Sequence, residues 1–295
     1  MELELIKFFV KVIQNGSFSK AAESLQIPKS TISKAITRLE KETGTKLLMR
    51  TTRSLTLTAA GMAFYETCLG PVQSLEDAMK SLHGQDSILS GRIRLTAPED
   101  LGSYVIARTI AQLATQHPQL SFELNYTDEI IDLVKDGYDL ALRVGKVPES
   151  RLRQKKLGEV ILILVASPQY LKSAAKIRNP ADLHNQTCLT IGGNFLKWSL
   201  KSKKETEHVQ MKTRIIINQM TGLIQMAIQG AGIALVPSYL CRADLENGKL
   251  IQVLPSWHSP GLPVTMLSPL PFSASARLKI TAETIATNVQ KLLLT

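Results

Sequence analysis

Six residues, Lys29, Ser30, Thr31, Ser33, Lys34 and Arg38, put hydroxyls and positive charge on one side of a segment. Its other side is Ile32, Ala35, Ile36 and Leu39. Hydroxyls exchange hydrogen bonds with base edges or phosphates, and lysine reaches guanine or phosphate. A second group follows. Leu55 and Leu57 alternate with Ser54, Thr56 and Thr58 in a hairpin pattern, and the tip carries Arg50 and Arg53. Guanidinium groups on a hairpin suit the phosphates or the minor groove. Between Gly16 and Leu55 eight bases face three acids, a local net charge of +5.

No set of residues spells catalysis or metal binding. His83, His117, His184, His208 and His258 are scattered, without a second ligand at metal spacing. Cys68, Cys188 and Cys241 are few, odd in number and far apart, as in a reducing cytosol. Cys188 and Cys241 read as small buried hydrophobes rather than a redox pair. Gly230-x-Gly232 lacks a third glycine and follows a helix, so it stops that helix and holds no dinucleotide. There is no serine elbow and no P-loop. The expectation is no catalytic residue, no metal and no cofactor.

The DNA-facing residues need short helices to hold them. Ile6, Phe9, Val10 and Ile13 recur at helical spacing, and Asn15-Gly16 stops the helix. Ser17 is a good N-cap for a second helix through Ala21, Ala22 and Leu25. Pro28 is expected at the first position of a third helix, about 29–43, which Gly44 ends. Two short helices, a turn and a third helix with a polar outer face make a helix-turn-helix, whose third helix enters the major groove. The basic hairpin becomes a wing. Thr58 then caps a long helix to about Ser90, with Ala63, Leu69, Val72, Leu75, Met79 and Leu82 spaced as in a dimerisation helix.

Beyond Gly91 strand and helix alternate. Strands are expected at 92–96, 120–126, 139–144, 214–217 and 233–236. Helices are expected at 101–116 with Asp100 as N-cap, at 129–136, 219–229 and 274–294. The run Val160–Ala166 reads as a buried strand or a crossing. The alternation argues α/β with a largely parallel sheet. Arg151, Arg153, Lys155 and Lys156, and Lys197, Lys201, Lys203 and Lys204, read as solvated faces.

The 295 residues carry 35 Lys/Arg and 25 Asp/Glu, a net charge of +10. That balance points to an anionic partner. Only +2 lies in residues 1–90, and +8 lies beyond. The start is acidic and broken by Lys7 and Lys11, unlike a secretory signal. The longest apolar run is far short of the roughly 20 residues of a membrane-crossing helix. A solute-binding protein or an enzyme is the rival reading; the missing signal and catalytic set count against it.

Phe9…Asn15-Gly16-Ser17-Phe18-Ser19-Lys20-Ala21-Ala22-Glu23-Ser24-Leu25, then Ser33…Ile36…Leu39-Glu40…Gly44…Leu47-Leu48…Arg50, then Leu57-Thr58…Gly61, closely resembles the LysR-type transcriptional regulators. Arg50–Leu55 and Phe195–Trp198 resemble the branch of that family that includes AphB and CrgA. Lys29, Lys34 and Ala35 depart from the residues frequent at those positions, and arginine's bidentate fork does not transfer to Lys34.

The resemblance implies an α+β multidomain chain. Residues 1–58 would form an all-α winged helix-turn-helix binding double-stranded DNA, and 59–90 a linker helix pairing two chains. Residues 91–295 would form a two-lobed α/β effector domain like periplasmic binding proteins. Lobe one is placed at 91–163 plus 267–295, and lobe two at 164–266. A small-molecule effector of unknown identity would sit between them, with Asp100, Ser103 and Arg143 on one wall and Gly193, Asn218, Gln219 and Thr221 on the other. The DNA set is Ser17, Lys29, Ser30, Thr31, Ser33, Lys34, Arg38, Arg50 and Arg53. A cytoplasmic homotetramer, contact with RNA polymerase and no membrane partner complete the implication.

Overall fold

The computed structural model describes residues 2–50, 55–82, 89–192 and 197–294. Its first helix, α1 (Leu3–Asn15), stops where Gly16 turns left-handed at φ 66°. Ser17 then caps α2 (Phe18–Leu25), accepting the Lys20 N–H at 3.1 Å. Gln26 closes α2 in the left-handed region, and α3 (Lys29–Thr43) follows. Pro28 occupies the N-cap, one residue before the expected first helical position. It suits that place because its extended ψ turns the chain into the helix. Phe9 of α1 and Ile32, Ile36 and Leu39 of α3 are fully buried and join these two helices. Burying each such side chain contributes about 1.5–3 kcal/mol.

The wing is an antiparallel pair, β1 (Leu48–Arg50) and β2 (Leu55–Leu57), with Leu48 opposite Leu57. Thr58 accepts the Gly61 N–H at 2.9 Å and starts α4 (Ala59–Leu82), as expected. The described part of α4 ends at Leu82, and the expected extension over 83–88 lies outside the described residues. Pro71 sits inside α4 and removes one rung of its hydrogen-bond ladder.

The remaining chain builds two sheets. In lobe one the strand order is β4 (Leu120–Tyr126), β3 (Gly91–Ala97), β5 (Leu140–Val144), β14 (Leu262–Ser268), β6 (Arg153–Val160). In lobe two it is β10 (Thr206–Gln210), β9 (Lys197–Lys201), β13 (Ile251–His258), β7 (Leu162–Ala166), β12 (Ile233–Pro237), β8 (Thr187–Ile191), β11 (Lys212–Ile217). The sheets are mixed, not largely parallel. β3 runs parallel to β4 and β5, but β14 is antiparallel to both its neighbours, and β7 is antiparallel to β12 and β13. The reason is the double crossing between lobes. Each crossing continues a strand directly into the other sheet, and the arriving strand enters antiparallel.

The crossings also fall earlier than the expected lobe boundaries. β6 gives way to β7 at Ile161, and β13 gives way to β14 across 259–261. Lobe one therefore holds 91–160 and resumes at Leu262. Ser259 ties the two crossings together: its hydroxyl accepts the Leu162 N–H and its own N–H donates to the Leu162 carbonyl, both at 2.9 Å.

Helices cover the sheets. Lobe one has α5 (Glu99–Leu101), a π-helical turn (Gly102–Ile106) and α6 (Ala107–Gln116) in direct succession, then α10 (Ala276–Leu294). Lobe two has α7 (Pro168–Ser173), a 3-10 turn (Pro180–Asn185), α8 (Met220–Ile228) and α9 (Ser238–Glu246). Two expectations fail here. Pro98, not Asp100, is the N-cap, so Asp100 lies within the first turn. The segment 129–136 is a turn, not a helix. There the Asp132 carboxylate captures the Val134 and Lys135 N–H groups, each at 3.1 Å, and Gly137 reverses the chain at φ 69°. Such capture competes with a helix.

Candidate nucleic-acid interface and inter-lobe cleft

The outer face of α3 presents Lys29, Ser30, Thr31, Lys34 and Arg38 to solvent, with Ser33 half-buried between them. The capping bond uses the Ser17 oxygen at the start of α2. Arg38 has protein partners. Its two terminal nitrogens contact the Glu2 carboxylate at 2.8 and 3.2 Å, and its Nε donates to Glu42 at 2.9 Å. Those bonds hold its guanidinium above its usual pKa. The strand holding Arg50 is described, but its side chain is not, and Arg53 lies outside the described residues.

Sequence reading missed the residue that aims the wing. Glu40 ends the inner side of α3 and is 5% exposed. Its Oε1 accepts the Leu47 and Leu48 N–H groups at 3.0 and 3.1 Å, and its Oε2 accepts Lys46 Nζ at 2.8 Å. Burial alone would raise the carboxyl pKa; the bonds from Lys46, Leu48 and Leu47 outweigh it and hold it below the ordinary value. Glu40 thereby fixes the wing to the helix that would enter the groove.

Among the described residues, two side-chain hydrogen bonds cross the cleft between lobes. Thr221 of α8 donates to Glu99 at 3.2 Å, and Tyr239 of α9 donates to Asp100 at 2.7 Å. Ser103 also donates to Glu99, at 3.2 Å. The Tyr239 ring meets Tyr104 of lobe one at 5.4 Å, and Arg108 lies over Tyr104 at 5.5 Å. Burial raises the Asp100 pKa, although bonds from Tyr239 and Leu101 pull the other way. Asp128 is raised by burial and then by Asp100, with Arg143 opposing. The acids Glu99, Asp100 and Asp128 therefore share one field.

Arg143 does not offset them by offering a free fork. Its Nη1 donates to the carbonyls of Leu142 at 2.9 Å and Thr127 at 3.5 Å. Its Nη2 donates to the Glu129 carbonyl at 3.0 Å and to Thr96 Oγ1 at 3.3 Å. Asn218 and Gln219 are exposed just before α8, where Gln219 is the N-cap without a side-chain bond. Gly193 lies outside the described residues, as do Phe195 and Leu196 of the branch motif. The structure thus brings together Asp100, Ser103 and Thr221 and leaves Arg143 anchored to the backbone beside them. Tyr239 was missed because nothing in its local sequence marks a contact 139 residues away.

Residues 3–62 match the model of the bacterial regulatory helix-turn-helix protein of the lysR family, and residues 87–288 match the LysR substrate binding domain. The chain belongs to the LysR family. This LysR-family regulator is 32% identical to the transcriptional regulator PtxR of Pseudomonas aeruginosa, over 88% of the chain and 84% of that protein. It resembles the full-length structure of the Vibrio cholerae virulence activator AphB, with TM-score 0.61 and 30% identity, covering 97% of this chain and 99% of that one. It also shares its fold with CrgA from Neisseria meningitidis, with TM-score 0.61 and 24% identity over 99% of both chains. Among the described residues no helix is long and apolar enough to cross a membrane, and no cluster of side chains would hold a metal.

Proposed function

We propose that this LysR-family regulator reads two-fold DNA sites with Lys29, Ser30, Thr31, Ser33 and Lys34 in the major groove. Ser17, Arg50 and Arg53 contact the flanking phosphates. Arg38 stands at the edge of that face, neutralised by Glu2 and Glu42. Two chains pair through α4, whose Leu75 and Met79 are exposed, and two such dimers form the working tetramer in the cytoplasm. The protein acts by binding alone, needs no cofactor, and reaches transcription through contact with RNA polymerase.

The observation that carries the regulatory part is the pair of carboxylate-to-hydroxyl bonds from Glu99 and Asp100 to Thr221 and Tyr239. An effector entering between the lobes replaces these ties. With three acids in the field and Arg143 committed, it brings cationic or donor groups and no simple carboxylate. It shifts the lobes only by binding one arrangement more tightly than the other.

Selection of bound genomic fragments, followed by gel shift at several salt concentrations, tests the DNA reading. A sequence-selective shift that weakens with salt is expected. Its absence would overturn the reading.

A further inference from the structure

A basic groove on lobe one lies apart from both the DNA face and the cleft. It measures about 590 Å³ and is lined by Arg153 and Lys155 of β6, Phe272 and Ser273 between β14 and α10, and Lys279 and Glu283 of α10. A volume of this order suits a small molecule, for which pockets run roughly 300–1,000 Å³. Arg153 and Lys155 are two apart on one strand, so both side chains emerge on the same face. Lys279 reaches the groove from the helix that packs on β6.

Three cations here face one acid. All three are exposed, and none makes an ion pair within the described residues. Their neighbour Lys156, on the opposite face, is by contrast paired with Glu159 at 2.7 Å. Phe272 is half-buried and, with the buried Ala282, supplies an apolar wall. Surplus positive charge beside an aromatic ring matches an anion that carries an apolar body.

The position gives such a ligand leverage. β6 and β14 are hydrogen-bonded neighbours, with Lys155 opposite Met266 and Arg153 opposite Ser268. The same two strands carry the crossings at their other ends, at Ile161 and at 259–261. A molecule clamped between β6 and the start of α10 bears on the strands that join the lobes.

We propose that this groove is a second small-molecule site, taking an organic anion, carboxylate or phosphate, with an aromatic or similar apolar group. It is a separate place from the cleft. Calorimetry on the full chain tests it with phenyl phosphate, benzoate, inorganic phosphate and benzylamine as probes. At least one aromatic anion binds more tightly than inorganic phosphate, and benzylamine does not compete for its site. The two aromatic anions distinguish the head group. Lys155→Ala with Lys279→Ala weakens that binding about tenfold, since two exposed charge pairs with the anion are removed. Lys155→Arg with Lys279→Arg retains it, which separates lost charge from lost folding. Thr221→Val, in the cleft, retains it. The assignment is overturned if neither aromatic anion binds, if the alanine pair binds as the parent does, or if Thr221→Val abolishes the heat.

Discussion

Replacing Glu40 by alanine should detach the wing from the recognition helix. The carboxylate serves three donors at 2.8–3.1 Å. Lys46 is 77% exposed, so its ion pair contributes under about 1 kcal/mol. The two backbone donors matter more. Leu47 and Leu48 are 2% and 4% exposed, and water cannot readily replace the lost acceptor. Leaving a buried N–H without a partner costs about 1–3 kcal/mol. Two of them, less the desolvation returned by removing a buried charge, place the local loss at about 2–4 kcal/mol. Glu40→Gln keeps a carbonyl oxygen for both amides and loses only the charge assistance, about 1–2 kcal/mol.

Hydrogen exchange on the full chain reads this directly. The Leu47 and Leu48 amides should exchange roughly 30- to 1,000-fold faster in the alanine variant, with the glutamine variant between. DNA affinity should fall in the same order. Acid should mimic the mutation only late. Glu40 is held below its ordinary pKa, so its contribution is fully present above the unfolded value and is lost as pH falls through the folded one. Exchange within roughly threefold of the parent at both amides would refute the reasoning.

Gly61→Ala should strain the same junction, because a Cβ there would overlap the Leu47 backbone carbonyl. A loss of about 1–3 kcal/mol by thermal melting is expected, despite the better helix propensity of alanine. Lys34→Ala should weaken binding and shallow the salt slope by about one unit, whereas Arg38→Ala should change the slope little because Glu2 and Glu42 already neutralise it. A full unit lost at Arg38 would mean its ion pairs open on DNA. Thr221→Val combined with Tyr239→Phe removes both ties between lobes and should widen the domain in small-angle scattering. An unchanged profile would show that apolar packing alone keeps the cleft shut.

The DNA-binding half was legible because its determinants are local. Gly16, Ser17 and Gly44 each act on a helix end within a few residues, and a polar outer face on α3 follows from its own period. Even Pro28 was displaced by only one position. The cleft was not legible in this way. Glu99 meets Thr221 across 122 residues, and Asp100 meets Tyr239 across 139. Both acids sit at a helix start, where capping is the ordinary expectation. Only the third dimension shows that they reach across to the other lobe.

The lobe boundaries failed for a related reason. Val160–Ala166 is uniformly apolar, and no pattern within it marks Ile161 as the point where one sheet hands over to the other. The strand β6 was hidden by its charge, since Arg153, Lys155 and Lys156 read as a solvated face. They are solvated, yet Lys156 meets Glu159 across the register shift in β6, while Arg153 and Lys155 line the groove. Net charge therefore says less than pairing. Arg92 and Arg94 spend theirs on Glu123, and Arg38 spends its own on Glu2 and Glu42. An anion answers the bases left over, and Lys29 and Lys34 on α3 and the cluster between β6 and α10 are among them.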